Sequence, residues 1–385
     1  MSLAWEQVRA WRLQRHHLAG RAPREALLEV ASRLCGVHAQ LMGSAELTLW
    51  ARVAELEPGA VKRALWEERS LVKTWAMRGT LHLLPAAELG LWHAGLGTYR
   101  HYLKPVWFRS FGITPEQLEA LIAAVSEALE GRELTREELA EAVVERTGAP
   151  ELGDKLRESW GAFLKPAAFR GRLCFAPGEG QKVRFTHPDT WLAGARGADG
   201  GPAPGGPAPG PDAALREIAR RYLAAHGPAT REDLARWWAT TPAAAGRLLR
   251  SLGDEAGEHD VEGTAMWMLH AGAREAAELP APGGVRLVPA FDQYVVAATR
   301  HAERSWPAGS ATACTGRRAG CRRFSSSAGA WRGRGATSAG AAASRSPSSR
   351  SAACRRPSTP RPKPRRSASR PSSAASRRSA GPEPG

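Results

Sequence analysis

The segments TREEL (135–139) and TREDL (230–234) repeat one pattern at a spacing of 95 residues. In both, a threonine stands three positions before an acidic residue, which is the capping arrangement that begins a helix. Each segment follows a stretch with helical apolar periodicity and precedes two short strand candidates. A repeat of this length indicates an array of similar modules.

The module around the second segment is the clearest. Apolar residues recur at helical spacing between residues 215 and 223, and a second helix begins at Thr230. A third helix begins at Thr241, where the next residue is a proline at the first helical position. Strand candidates at 260–261 and 265–269 follow. Three short helices and a hairpin predict a winged helix-turn-helix.

The two earlier parts of the chain follow the same order of three helices and two strands. The predicted elements are helices near 24–35, 44–56 and 60–69 with strands at 71–76 and 80–84, then helices after Thr114, after Thr135 and near 152–163 with strands at 172–176 and 182–186.

These elements predict a mainly α protein with small β-hairpins (α+β), made of three tandem winged helix-turn-helix modules and a disordered tail. The linker GPAPGGPAPGP (201–211) forms neither helix nor strand and separates the third module from the first two. The expected boundaries are residues 1–110 for the first module, 111–198 for the second, 199–211 for the Gly/Pro linker, 212–304 for the third and 305–385 for the tail.

The tail differs in composition from the rest of the chain. It holds 17 of the 54 Lys and Arg and one of the 38 Asp and Glu, so it carries the whole net charge of +16. Of its 81 residues, 69 are Ser, Arg, Ala, Pro or Gly, and none is Leu, Ile, Val, Met or Tyr. Such a segment cannot bury a core, so disorder is expected. A basic arm for nucleic acid is one interpretation.

A shifted reading frame is the interpretation that we favour for this tail. GC-rich DNA read out of frame produces mixtures of Arg, Ala, Gly, Pro and Ser. When the codons of residues 313–339 are read one base out of register, they permit the string VYRPAGWLSPVLLVGGRVAGTWRHER. Its apolar run, turn and second strand are typical of a β-hairpin. We therefore hypothesise a register shift near Arg304 that leaves the third module without its C-terminal part.

Cysteine usage and hydropathy exclude several classes of protein. The five cysteines show neither a CxxC pair nor a zinc-like His/Cys spacing, so no disulfide framework and no metal site is predicted. The N-terminus carries Glu6 and Arg9 and lacks an apolar leader core. No uncharged apolar run reaches the length of a membrane span. We expect a cytoplasmic protein.

The segment GVHAQLMGSAELTLWARV (36–53) contains the sharpest candidate site. His38 and Gln40 lie between a helix that ends near Cys35 and one that begins near Ser44, and positions i and i+2 of an extended chain project to the same side. A neutral histidine can act as a base, and a glutamine can orient water. A free histidine titrates near pH 6–7. An ordinary turn histidine is the alternative interpretation.

Several local clusters of cations could contact DNA phosphates even though residues 1–304 are neutral overall. Solvated surface charges are the alternative interpretation for each. The helix at 241–252 has few base-reading side chains, which argues against a sequence-specific regulator. The predicted DNA-binding residues are Lys73, Arg78, Lys165, Arg170, Arg172, Arg247 and Arg250.

Four blocks of this sequence resemble the AlkZ/YcaQ family of bacterial DNA glycosylases, and the out-of-frame string resembles that family's C-terminal hairpin. The resemblance implies three tandem winged-helix domains around a DNA-binding channel. It also implies hydrolysis of the N-glycosidic bonds of alkylated purines, including interstrand crosslinks. The blocks are HAQLMGSAELTLWAR (38–52), KTWAMRGTLHLLPAAEL (73–89), WGAFLKPAAFRGRLCFAP (160–177) and RLVPAFDQYVVAATR (286–300).

The resemblance implies roles for three residues. The family's catalytic motif, a Gln followed two residues later by Gln or Asp, falls on His38-Ala39-Gln40. Gln40 matches and would hold the attacking water, whereas His38 replaces the commoner Gln and resembles a variant branch. Asp292, in the shared block PAFDQY, would have a supporting role in the fold, with a part in catalysis as the alternative. The implied partner is double-stranded DNA with alkylated bases, bound by a nucleoid-associated monomer without metal, membrane or cofactor.

Two other interpretations stay open at this point. One is a non-catalytic winged-helix regulator that binds DNA, and the other is an inactive product of the shifted frame. Excision of 7-methylguanine from duplex DNA separates the glycosylase from both.

Overall fold

The computed structural model describes residues 1–159, 161–180, 182–193, 208–297, 301, 322–325 and 331–334. Residues 199–207 of the predicted linker and most of the predicted tail lie outside this part of the chain. The described residues are mainly helical with four small three-stranded sheets, which confirms the predicted fold class at that level. None of the helices among them combines the length and apolar character needed to cross a membrane.

The N-terminal segment packs against the C-terminal part of the described chain. It consists of β1 (Ser2–Leu3) and α1 (Trp5–Arg15), and β1 pairs in parallel with residues 260–261. Trp5 and Trp11 share a small core with Met266 and Met268. The prediction assigned these residues to the first module. The sequence of this segment holds no local sign of the long-range strand pairing that places it elsewhere.

The first layer contains the segment with His38. Its sheet has the order β2-β4-β3, so the last strand lies between the other two. Its elements are α2 (Leu27–Arg33), β2 (Val37–His38), α3 (Met42–Trp50), α4 (Ala60–Trp66), β3 (Leu71–Trp75) and β4 (Leu81–Pro85), followed by α5 (Leu89–Leu96) and α6 (Pro105–Phe111).

The middle layer repeats this order with the sheet β5-β7-β6. The cap predicted from TREEL is present, because the Glu138 amide donates to the Thr135 hydroxyl at 3.3 Å and the Thr135 amide to the Glu138 carboxylate at 2.7 Å. The elements are α7 (Pro115–Leu129), β5 (Leu134–Thr135), α8 (Arg136–Thr147), α9 (Pro150–Glu158), α10 (Leu164–Phe169), β6 (Cys174–Glu179), β7 (Lys182–Thr186) and α11 (Pro188–Ala193).

The third layer uses the same cap and a similar hairpin. The amides of Asp233 and Thr230 donate reciprocally at 3.2 and 2.8 Å, and Ala229 forms an isolated bridge to Trp267. The elements are α12 (Pro211–His226), α13 (Arg231–Trp238), α14 (Pro242–Arg250), β8 (Ala256–Val261), β9 (Thr264–Leu269), α15 (His270–Glu278), β10 (Val285–Val288) and α16 (Gln293–Ala297).

Two short strands lie inside the segment for which disorder is predicted. They are β11 (Arg322–Ser325) and β12 (Trp331–Arg334), and they extend β10 into an antiparallel sheet. The prediction of disorder is therefore wrong for these two strands. In the shifted frame, the codons of residues 322–326 and 331–335 permit PVLL and AGTW, so the two strands fall at the positions of the strands in the hypothesised out-of-frame hairpin.

One continuous apolar core joins the three layers. Trp92 of α5, Leu121 of α7, Phe169 of α10 and Tyr222 of α12 are buried in the same cluster. A second cluster, which includes Val37 and Leu83, lies within the first layer beneath β2. The strand that bears His38 is thus held between a packed helix layer and the rest of its own sheet.

Candidate functional site

A sharp backbone turn presents His38 to the site. Cys35 and Gly36 both have positive φ, 58° and 91°, which ends α2 and directs the chain into β2. A Cβ on Gly36 would lie 2.6 Å from Leu84 Cδ2, so only glycine allows β2 to approach β4 this closely. The pairing aligns Val37 with Leu83 and His38 with His82.

The His38 side chain is enclosed by two rings. It is 6% exposed, the Phe291 ring stacks on it with centroids 5.1 Å apart and planes 15° apart, and the His82 ring meets it edge-on at 5.3 Å. Its Nδ1 atom is buried and has no hydrogen-bond partner among the described residues. A buried polar atom without a partner is costly, so Nδ1 is a candidate contact for water or substrate.

Gln40 lies where the chain leaves the sheet. The amide of Ala39, the residue after β2, donates to the Leu81 carbonyl at 2.7 Å, and this hydrogen bond is the last one that ties the chain to β4. Gln40 follows in an exposed bend before α3 begins at Met42. The structure therefore gives the two residues of the motif different surroundings. His38 is buried and Gln40 faces solvent.

Burial sets the charge of His38. Burial, together with a smaller effect of the cation Arg78, lowers the pKa of His38 to about 4. Burial likewise holds the pKa of His82 well below its ordinary value, with added effects of His38 and Arg78. Both imidazoles are neutral at pH 7. The titration near pH 6–7 expected for a free histidine is therefore corrected to about pH 4.

The turn between β3 and β4 brings two predicted cations together. Arg78 and Gly79 have φ of 59° and 66°, and Arg78 Nη1 donates to the Trp237 carbonyl at 3.0 Å. A Cβ on Gly79 would lie 3.4 Å from Cδ of Lys165, so the lysine side chain from α10 lies across this turn. Burial lowers the pKa of both Arg78 and Lys165. We call the turn at residues 77–79 the wing tip.

The other predicted cations have different surroundings. Lys73 is half-buried, with Nζ 5.3 Å from the centre of the Phe175 ring. Arg170 binds the Glu119 carboxylate through two hydrogen bonds of 2.5 and 2.7 Å, which neutralises its charge and removes it from the residues that we propose for DNA. Arg172, Arg247 and Arg250 are exposed.

Asp292 has a structural role. Its carboxylate accepts from Arg52 at 2.8 and 2.7 Å and from the Tyr294 amide at 2.9 Å, and both charged side chains are 0% exposed. Arg52 also donates to the Thr48 carbonyl at 2.9 Å. The suggestion that Asp292 takes part in catalysis is corrected, because this carboxylate has no surface with which to touch DNA.

Sequence reasoning missed the residues that surround His38. His82 sits opposite His38 only through the register of β2 and β4, and strand alternation alone could have flagged it as inward-facing. Phe291 reaches the site from a distant segment. Gln293 anchors that segment by donating from Nε2 to the Gly36 carbonyl at 2.8 Å. No local sequence pattern predicts the contacts of Phe291 and Gln293 with this segment.

Comparison with known proteins decides the family. A family model described as DNA glycosylase AlkZ-like matches residues 31–321. This chain belongs to the AlkZ-like DNA glycosylase family. It is 40% identical over 299 residues to the interstrand DNA cross-link repair glycosylase of Streptomyces sahachiroi, which covers 77% of this chain and 78% of that protein.

A solved structure agrees with this assignment. The DNA glycosylase AlkZ of Streptomyces sahachiroi superimposes on this chain with a TM-score of 0.78 at 35% identity, covering 87% of this chain and 88% of that one. The resemblance expected from the four sequence blocks is confirmed. The enzyme class is a DNA glycosylase, a hydrolase that acts on N-glycosyl bonds, and its substrate is DNA.

Proposed function

We propose that this AlkZ-like glycosylase hydrolyses the N-glycosidic bond of alkylated purines in duplex DNA, including purines joined in an interstrand crosslink. Its relative is named an interstrand DNA cross-link repair glycosylase. The observation that carries the proposal is the pairing of a buried, neutral His38, whose Nδ1 is unpartnered among the described residues, with an exposed Gln40 two residues later. Both lie in the segment that resembles the family's catalytic motif.

The proposed reaction requires the protein only to orient a water molecule and to accept a hydrogen bond or a proton. Alkylation of a purine ring nitrogen makes the base cationic, so the bond between C1′ and the base breaks with its electron pair moving to the base. The sugar then carries positive charge, and water adds to C1′ and releases one proton. Gln40 orients that water, and neutral His38 accepts a hydrogen bond or the proton without repelling the sugar. A protonated histidine would oppose the developing charge.

Duplex DNA, in this proposal, lies across the wing tip and the adjacent cations. Each of the first two layers has a helix before its first strand, at least two more helices before its second strand, and a sheet whose last strand lies between the others, which is the strand order of a winged helix. The third layer replaces the first strand by the bridge at Ala229. We therefore infer three tandem winged-helix modules with boundaries near residues 110, 198 and 212. Arg78, Lys165 and Lys73 are the proposed phosphate contacts nearest to His38, with exposed Arg172, Arg247 and Arg250 farther along the chain.

The same proposal describes a monomer that acts on DNA in the cytoplasm, at the nucleoid, without a cofactor. Among the described residues, no group of three His, Cys, Asp or Glu side chains is placed to hold a metal ion. Neither the water that Gln40 orients nor the cationic leaving group requires a metal ion.

The function is tested on a duplex that carries a single 7-methylguanine. The purified chain is incubated with this DNA, and abasic sites are revealed by alkaline strand cleavage. We expect cleavage at the lesion only. Binding without cleavage would favour a non-catalytic DNA-binding protein, and the absence of both would favour an inactive product of the shifted frame.

The pH dependence of excision follows from the burial of His38. The pKa of His38 is lowered to about 4, so the active, neutral form dominates above that pH and is lost as the pH falls through it. We expect a single-turnover rate that is unchanged from pH 8 to pH 5.5 and is half lost near pH 4. His38→Gln, which cannot titrate, should lack the acid limb. A step between pH 6 and 7 in the unmodified protein alone would show that His38 is solvated.

Restoration of the reading frame after Arg304 should raise thermal stability. Leu287, in β10, is 62% exposed, and the register of β10 and β11 aligns it with Arg323. The shifted frame supplies Val, Leu and Trp to that strand pair, which would cover apolar surface. We expect a rise in Tm on the order of 5 °C, measured by circular dichroism. Equal melting of the two versions would count against a missing hairpin, and an in-frame DNA sequence across codons 300–310 would refute the shift.

A further inference from the structure

Phe291 has an unusual backbone and an unusual environment. Its φ is 62°, in the left-handed region that a bulky residue rarely adopts. Its ring lies against the His38 imidazole at 5.1 Å, nearly parallel to it, although 43% of the residue is exposed to solvent. A large apolar ring held at the surface by a strained backbone is a feature that typically marks a functional site.

The neighbours of Phe291 hold this conformation in place. Asp292 forms the fully buried ion pair with Arg52, and Gln293 donates to the carbonyl of Gly36, two residues before His38. These contacts fasten residues 292–293 to the first layer on both sides of the site. The strained backbone at Phe291 persists because the buried contacts that follow it hold the segment in place.

The other groups around the His38 imidazole are charged or titratable, and the Phe291 ring is its apolar cover. His82 of β4 meets the imidazole at its edge, and Arg78 of the wing tip is the cation that acts on its charge. Asp292, the residue after Phe291, forms its ion pair with Arg52 of the first layer. The carboxylate of that pair is occupied by Arg52, so the cover itself brings no counter-charge to the imidazole. The Phe291 ring excludes water from one face of the His38 imidazole.

We propose that Phe291 is a positioning residue for His38, whose ring fixes the plane of the imidazole and excludes water from one of its faces. The consequence for excision rests on the proposed function, whereas the effect on His38 itself does not.

The first test measures His38 directly in the free protein. The His38 Cε1–H resonance is titrated by NMR in the unmodified chain, in Phe291→Gly and in Phe291→Tyr. Glycine accepts a φ of 62° without strain, so this variant removes the ring without a new backbone cost. We expect the pKa of His38 to rise from about 4 to about 5 or above in Phe291→Gly and to stay in place in Phe291→Tyr.

The second test measures excision of 7-methylguanine at pH 7 with the same variants. We expect about a tenfold loss of single-turnover rate in Phe291→Gly and near-full activity in Phe291→Tyr, because only the tyrosine retains a stacked ring. Leu287→Ala, which removes another exposed apolar side chain of the same segment, is the matched control and should change neither quantity.

The outcomes separate the two proposals. An unchanged titration of His38 in Phe291→Gly overturns the positioning role, whether or not the protein excises bases. A shifted titration in a chain that excises nothing leaves Phe291 in its role and refutes the proposed function. A rate loss shared equally by Phe291→Gly and Phe291→Tyr would also overturn the positioning role.

Discussion

Replacement of Asp292 by alanine should lower the free energy of unfolding by about 3–5 kcal/mol, because the substitution leaves a buried arginine without its counter-charge. Arg52 and Asp292 are both 0% exposed and share two hydrogen bonds of 2.8 and 2.7 Å. Arginine side chains stay charged in proteins, and the other hydrogen bond of Arg52 among the described residues is to the Thr48 carbonyl. Urea denaturation followed by circular dichroism measures the loss.

Asp154→Ala is the matched control for this prediction. Asp154 pairs with Arg157 at 3.1 Å, but its side chain is 66% exposed, so the loss should be less than about 1 kcal/mol. The double variant Arg52→Met with Asp292→Leu removes both charges and should recover most of the lost stability. If Asp292→Ala unfolds at the same urea concentration as Asp154→Ala, the buried pair does not anchor the segment that carries Phe291.

The second large effect concerns Gln40. This exposed side chain lies in the bend that follows the last contact of β2, two residues after His38. Loss of one group that positions water or stabilises developing charge costs about 10²–10³-fold in rate. Gln40 is uncharged, so its removal leaves the number of neutralised phosphates and the affinity for undamaged DNA nearly unchanged.

Local features of the fold could be predicted well from the sequence. The two threonine caps at Thr135 and Thr230 both form, and the strand predicted at 182–186 has those bounds. These features depend on residues a few positions apart, so short patterns suffice to find them. The same holds for the bend that carries His38 and Gln40.

Features that depend on distant contacts could not be predicted. Residues 2–3 pair with 260–261, and the ring of Phe291 covers a histidine more than 250 positions earlier in the chain. Arg170 resembled a phosphate contact until the structure placed Glu119 against it. The depressed pKa of His38 has the same origin, because burial is a property of the assembled fold and a free histidine gives no sign of it.

The proposed reaction depends most on the chemistry of the segment from His38 to Gln40. The direct test is the single-turnover release of 7-methylguanine from one duplex by the unmodified chain, by Gln40→Ala and by Gln14→Ala, an exposed glutamine of α1 that serves as control. We predict a loss of about 10²-fold or more for Gln40→Ala, with full activity for Gln14→Ala and equal DNA binding by all three. Equal rates of base release by Gln40→Ala and the unmodified chain would contradict the assignment.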